Sequence, residues 1–254
     1  MPAYYNENDA YCAQWLRNLI AAGLIAPGDV DERSIVDVRP ADLDGYTQCH
    51  FFAGVGLWSY SARISGVGDD EPLWSGSCPC QPFSGAGRHD GFEDERDLWP
   101  AWLPLIEKRR PSRIFGEQVA SPAGRGWLSR LRTDLERLGY QVGAADLCAA
   151  GIGAPQIRQR LWWVADADDK GWQGRERQGQ QDQAGTEREA SRREPLRPAR
   201  RPWPPGPNQI GTIPLCADGR PGRVGRLRAY GNAIVPQVAA EFIQAADEAM
   251  RVKP

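Results

Sequence analysis

Short apolar runs alternate with helical patterns through the first 165 residues. Ala3–Asn6, Gln48–Phe52, Pro72–Gly76, Arg113–Gly116, Val142–Leu147 and Leu161–Ala165 read as strands, each bounded by turn-forming or polar residues. Between them, Asp9–Ala22 places Trp15, Leu16, Leu19 and Ile20 at helical spacing and stops at Gly23. Gly126–Leu138 aligns Leu128, Leu131, Leu135 and Leu138 on one face and stops at Gly139. Strands alternating with helices predict an α/β fold with a mostly parallel sheet, which collects ligands at the carboxyl ends of its strands. From residue 166 the periodicity is lost in a stretch rich in Gln, Arg, Gly and Pro. It returns in Pro236–Met250, where Val238, Phe242, Ile243, Ala246 and Met250 share a helical face and Pro236 suits a first turn. The expected division is a core over 1–165, a small loop-rich region over 166–225, and a segment over 226–254 that returns to the core.

Composition narrows the class. The 254 residues suffice to bury a substantial core, and 41% hydrophobic with 25% charged residues is ordinary for a globular protein. No apolar run reaches transmembrane length, and the opening MPAYYNENDAYC lacks the basic and apolar regions of a secretory signal. Six cysteines are too dilute for a disulfide scaffold, so reduced thiols in a cytoplasm are expected, with no membrane partner. Net charge is −2, yet residues 1–165 carry −5 and residues 166–254 carry +3. Nine arginines fall within 192–228, against Glu194 and Asp218. That cluster points to a local polyanion contact, or to a solvated linker.

Five short blocks carry candidate chemistry. Phe52-Ala53-Gly54-Val55-Gly56 ends a strand and enters a helix, and its glycines let a ligand approach the backbone. Position 59 is Ser, so the third glycine of a pyrophosphate fingerprint is missing; a nucleoside cofactor without phosphates fits better. Pro79-Cys80-Gln81-Pro82 holds a cysteine between prolines before a glycine-rich loop, the setting of a nucleophile under a lid. With only two histidines, His50 and His89, neither a zinc site nor a Cys–His hydrolase is favoured, and no metal is expected. Glu117 follows the apolar Ile114-Phe115-Gly116, where a partly buried carboxyl can keep its proton and donate it. Arg158 and Arg160 alternate ahead of Leu161-Trp162-Trp163 and so point to one face. Gly231-Asn232 leads into the last helix.

Taken in order, FAGVG, PCQPFS, EQV, QIRQR and GNAIVPQVA resemble the DNA cytosine C5-methyltransferase family, in particular its compact phage and prophage members. The resemblance implies a Rossmann-like, S-adenosylmethionine-dependent fold acting on double-stranded DNA in the cytoplasm, as a monomer. It implies that Cys80 attacks C6 of a flipped-out cytosine. Glu117 then contacts N3 and the exocyclic amine, and Arg158 and Arg160 hold the base or its sugar-phosphate. Phe52, Ala53, Gly54, Val55, Gly56 and Asn232 line the cofactor. Gln81 and Ser84 belong to the lid over the base, and Arg88, Arg226 and Arg228 to the DNA contact. In a phage such an enzyme masks DNA from restriction.

Three departures accompany the resemblance. The block usually reading Glu-Asn-Val is Glu117-Gln118-Val119. Phe52 and Cys80 are only 28 positions apart, too few for the two strand–helix units that the family places between them. AYYNEND, a helix and GDVDERSI upstream resemble those missing units. A circular permutation of the N-terminal strand–helix units is therefore expected, with Glu7 on the ribose hydroxyls and Asp29 at the adenine amine. The rival readings are an RNA (tRNA) cytosine C5-methyltransferase, a catalytically weakened DNA-binding relative and a cysteine hydrolase.

Overall fold

The computed structural model describes residues 2–79, 97–154, 156–167 and 233–251. Among them seven strands form one sheet: β1 (Ala3–Asn6), β2 (Gly28–Asp31), β3 (Gln48–Phe51), β4 (Leu73–Gly76), β5 (Arg113–Val119), β6 (Gln141–Cys148) and β7 (Gln159–Asp166). Their order across the sheet is β2-β1-β3-β4-β5-β7-β6. The first five are parallel, and β7 runs antiparallel to both β5 and β6. The mostly parallel α/β fold expected from the sequence is the one found.

Adjacent residues in each central strand feed opposite cores, as a period of two requires. Tyr4, Phe51, Trp74, Ile114 and Trp163 pack on one face. There they meet α3 (Trp99–Arg109) and α4 (Pro122–Arg137) through Trp99, Trp102, Trp127, Leu131 and Leu135. On the other face, Tyr5 packs with Leu16 of α1 (Ala10–Ala21), while Phe115 and Trp162 pack with Trp58 of α2 (Leu57–Ser65) and Phe242 of α5 (Pro236–Arg251). Helices on both faces explain why the central strands are apolar throughout rather than alternating.

The chain order of the strands is unusual for a doubly wound sheet. Reading outward from the crevice, the common order is 3-2-1-4-5, with the first strand central. Here the central strand is the third, and the first two lie outside it. This matches the circular permutation of the N-terminal strand–helix units expected from the sequence, and the sheet order shows that it involves the first three strands. Its physical basis lies at the amino end of the sheet. Thr47 N–H donates to Pro2 C=O at 3.3 Å, and Leu73 N–H to Thr47 C=O at 3.4 Å. The entry points of β1, β3 and β4 are thus neighbours, and the chain can be joined through them in more than one order.

Three elements differ from the sequence reading. β2 is an edge strand with no apolar run, and it forms because β1 offers it a complete parallel ladder. α3 contains Pro104 and yet forms, because Trp99, Trp102, Leu105 and Ile106 bury into the aromatic core. β5 continues past Gly116 to Val119, since its ladder with β7 runs on to Val119 opposite Arg160. Glu117 therefore lies inside a strand, and β7 begins at Gln159, so Arg158 precedes it. No helix among the described residues is long and apolar enough to cross a membrane.

Candidate active site

The glycine turn forms where β3 ends. Phe52 is left-handed (φ 51°), as are Gly54 (φ 54°) and Gly56 (φ 77°). A left-handed phenylalanine is strained, and such strain concentrates at functional sites. Its ring stands edge-on to Trp102 at 5.8 Å, which fixes it on the α3 side of the sheet. Gly56 starts α2, and a Cβ there would lie 3.0 Å from Leu16. A Cβ on Gly54 would enter open space, so the backbone there faces a gap that a ligand can enter. Ala53 packs with Tyr5 and Leu16, and Val55 with Cys12.

Glu7 closes this turn from β1. Its Oε2 accepts from Gly54 N–H at 2.7 Å, and its Oε1 from Asp9 N–H at 2.9 Å. Burial raises the Glu7 pKa and these two donors pull it back, leaving it above the ordinary value. Two segments 47 positions apart, β1 and the β3–α2 turn, are thus bridged by one carboxylate at the carboxyl end of the sheet.

Asp29 lies two residues before the end of β2, opposite Tyr4. Its Oδ2 accepts from Tyr46 Oη at 2.9 Å. At the strand's end Asp31 accepts from Tyr4 Oη at 2.7 Å and pairs with Arg33. Burial pushes the Asp31 pKa up, but hydrogen bonds from Arg33 and Tyr4 outweigh it and hold it at about 2. A cavity of about 460 Å³ is lined by Tyr4, Asp29, Asp31, Arg33, Asp42 and Tyr46. Glu7 stands beyond the strand's end, its N–H donating to Asp31 C=O at 3.0 Å. Tyr46 carries no sequence signal of its role, because only the register brings it over Tyr4 and Asp29.

The third group sits on β5. Glu117 is 7% exposed, and Arg160 Nε lies 2.8 Å from its Oε1, an ion pair without the alignment of a hydrogen bond. Burial raises the Glu117 pKa, while the charges of Arg160 and Arg158 lower it; burial wins. The site therefore holds a carboxyl that keeps its proton into higher pH, next to two guanidinia. Gln118 points to the opposite face and is 1% exposed. Its Oε1 accepts from Val119 N–H at 2.9 Å, and its Nε2 has no partner among the described residues.

Gly76 of β4 pairs with Gly116 of β5, so the run Ser77-Cys78-Pro79 leaves the sheet beside Glu117. Trp58 Nε1 donates to Ser77 Oγ at 3.1 Å. Cys78 is buried, and burial pushes its thiol well above the usual range, which makes it a poor nucleophile. Cys80, Gln81, Ser84, Arg88, Arg226, Arg228 and Asn232 lie outside the described residues.

Residues 69–199, half of the chain, match the model of the C-5 cytosine-specific DNA methylase family. The chain belongs to this family. It is 37% identical over 92 residues to the type II methyltransferase M.AplI of Arthrospira platensis, covering 35% of this chain and 27% of that protein. It is 35% identical over 100 residues to M.NgoMIV of Neisseria gonorrhoeae, covering 38% and 32%. It is 30% identical over 104 residues to M.HhaI of Haemophilus parahaemolyticus, covering 39% and 32%. The matched part thus spans under a third of each of these type II methyltransferases. A crystal structure of a Spodoptera frugiperda DNMT2 mutant aligns at a TM-score of 0.47 with 14% identity, covering 69% of this chain and 45% of that one.

Proposed function

We propose that the chain transfers a methyl group from S-adenosylmethionine to C5 of a flipped-out cytosine in double-stranded DNA. The observation that carries this reading is the buried Glu117 with Arg160 at 2.8 Å, on the strand beside the one that leads into Pro79 and Cys80.

The glycine turn fits the proposed cofactor: Gly54 faces open space, and Glu7 brings a carboxylate against its N–H. Phe52, Ala53, Gly54, Val55 and Gly56 would wall the nucleoside, with Glu7 toward the ribose hydroxyls and Asn232 reaching in from the last block. Asp29, held by Tyr46, would meet the adenine amine. Bound there, S-adenosylmethionine supplies an electrophilic methyl group. Cys80, as a thiolate, adds to C6 of the cytosine, and the displaced electron pair makes C5 nucleophilic. Glu117 donates its proton toward N3 and so stabilises the charge that the addition creates. Arg158 and Arg160 hold the base and keep Glu117 oriented. Once C5 carries the methyl, loss of its proton restores the double bond and expels Cys80. Gln81 and Ser84 would close over the base, and Arg88, Arg226 and Arg228, together with residues 166–225, would contact the DNA. α5 packs against α2, which supports reading 226–254 as a return to the core. Protection from restriction in a phage, in the cytoplasm and as a monomer, completes the proposal.

The test is expression in a methylation-free host followed by base-resolution mapping of modified cytosines, with duplex DNA and tRNA compared as purified substrates. The reading predicts 5-methylcytosine at a defined DNA sequence, absent with Cys80→Ala. Methyl transfer to tRNA alone, or to neither, contradicts it. Glu7→Ala and Asp29→Ala should each weaken cofactor binding in calorimetry, and unchanged affinity removes that residue from the cofactor site.

A further inference from the structure

β7 runs antiparallel to β5, so the connection from β6 to β7 stands at the same end of the sheet as Glu117. Ala149 N–H donates to Arg158 C=O at 3.1 Å and closes this connection at its base. At its far end Gly151, Ile152 and Gly153 are exposed, and Ile157 presents 88% of its surface to water. Single exposed apolar residues need no explanation. This one differs by position. It directly precedes Arg158, whose charge acts on Glu117, and Ile152 is exposed on the same connection. An apolar side chain at the rim of a guanidinium-lined site complements a ligand that is anionic and also carries C–H surface. A nucleic-acid strand is both, through its phosphates and through its sugars and base faces.

Resting on the function proposed above, we infer that Ile157 is an apolar DNA contact, packing on the strand that carries the reacting cytosine. Arg158 and Arg160 then supply charge, and Ile157 supplies area that contributes only once the duplex is seated.

Binding of a short cognate duplex by the intact protein, measured across a salt series, tests this. An apolar contact changes affinity without changing the number of counterions released. Ile157→Ser is expected to weaken DNA binding about tenfold at each salt concentration with the slope of log Kd against log salt unchanged. Ile157→Leu should restore binding, and cofactor affinity should stay at the wild-type value in both. Binding by Ile157→Ser within twofold of wild type, while wild type methylates the duplex, overturns this inference alone. Wild-type protein that neither binds nor methylates DNA overturns it together with the functional reading. A wild-type dimer that Ile157→Ser makes monomeric, with DNA affinity unchanged, assigns the surface to a second copy and overturns it as well.

Discussion

Glu117 is the residue at which burial and charge compete most directly. Removing its ionisable group while keeping its shape, as Glu117→Gln, should lower kcat for methyl transfer by a hundredfold or more, within the usual range for a lost general acid. Cofactor affinity should not move, and a rate within threefold of wild type contradicts the role. In the proposed mechanism the protonated form is the working one, so activity should fall as pH rises through the elevated Glu117 value, and the variant should lose that limb. His50 makes a second residue-scale prediction. It is buried against Tyr5, with Nδ1 2.7 Å from Ser75 Oγ, and burial alone pushes its pKa down to about 3. An unfolded chain takes up a proton there near pH ~6.5, whereas the folded one does so only near 3. The stability contributed by keeping His50 neutral is therefore whole above about pH 6.5 and lost as pH falls toward 3. Urea unfolding between pH 7 and 4 should show a slope that His50→Gln reduces by about one proton, ~1.4 kcal/mol per pH unit.

The sheet at the level of its elements is held by close aromatic packing that small residues permit. A Cβ on Gly116 would lie 2.2 Å from the Trp163 ring, and one on Gly76 would lie 2.5 Å from Trp102. Both tryptophans are fully buried and cannot retreat. Gly116→Ala should cost 1–3 kcal/mol or more and lower Tm by several degrees in thermal unfolding. An unchanged Tm contradicts that packing. This packing also explains which elements were legible in the sequence. β1 was readable in full, and β3, β4, β6 and β7 to within a residue or two at their ends, because apolar runs covered by helices on both faces are distinctive. α1 was readable from its stripe and from the stop at Gly23, and Asp9 caps it by accepting from Cys12 N–H at 3.0 Å. α3 was not, because Pro100 and Pro104 argue against a helix that only the tertiary tryptophan cluster stabilises. Nor was β2 by its own pattern, since Gly28–Asp31 has one apolar side chain. Within the site, Glu117, Arg158 and Arg160 were legible as separate blocks, but the Glu117–Arg160 ion pair comes from the register of β5 against β7. The Tyr46–Asp29 and Glu7–Gly54 contacts depend on register between distant segments, which no local pattern encodes.

The order in which the whole molecule threads its sheet separates position from sequence. β1, α1 and β2 occupy places that a conventional chain would reach after β3, and Glu7 still arrives at the glycine turn. Because the entries of β1, β3 and β4 are adjacent, moving residues 2–44 to lie between α2 and β4 with short linkers should restore the conventional order without loss of fold. That rearranged chain is expected to keep its circular dichroism spectrum and to bind S-adenosylmethionine within a few-fold of wild type, and a collapse of either contradicts the topology. The proposed chemistry requires the sulfur of Cys80 to bond to the base that Glu117 would receive. Duplex DNA carrying 5-fluorocytosine at the target blocks loss of the group at C5 and so freezes that bond. Incubated with protein and S-adenosylmethionine, it should give a denaturation-resistant complex whose peptide map places the adduct on Cys80, abolished by Cys80→Ser. A cofactor-bound protein that methylates the unmodified duplex yet never crosslinks to the fluorinated one would contradict the account.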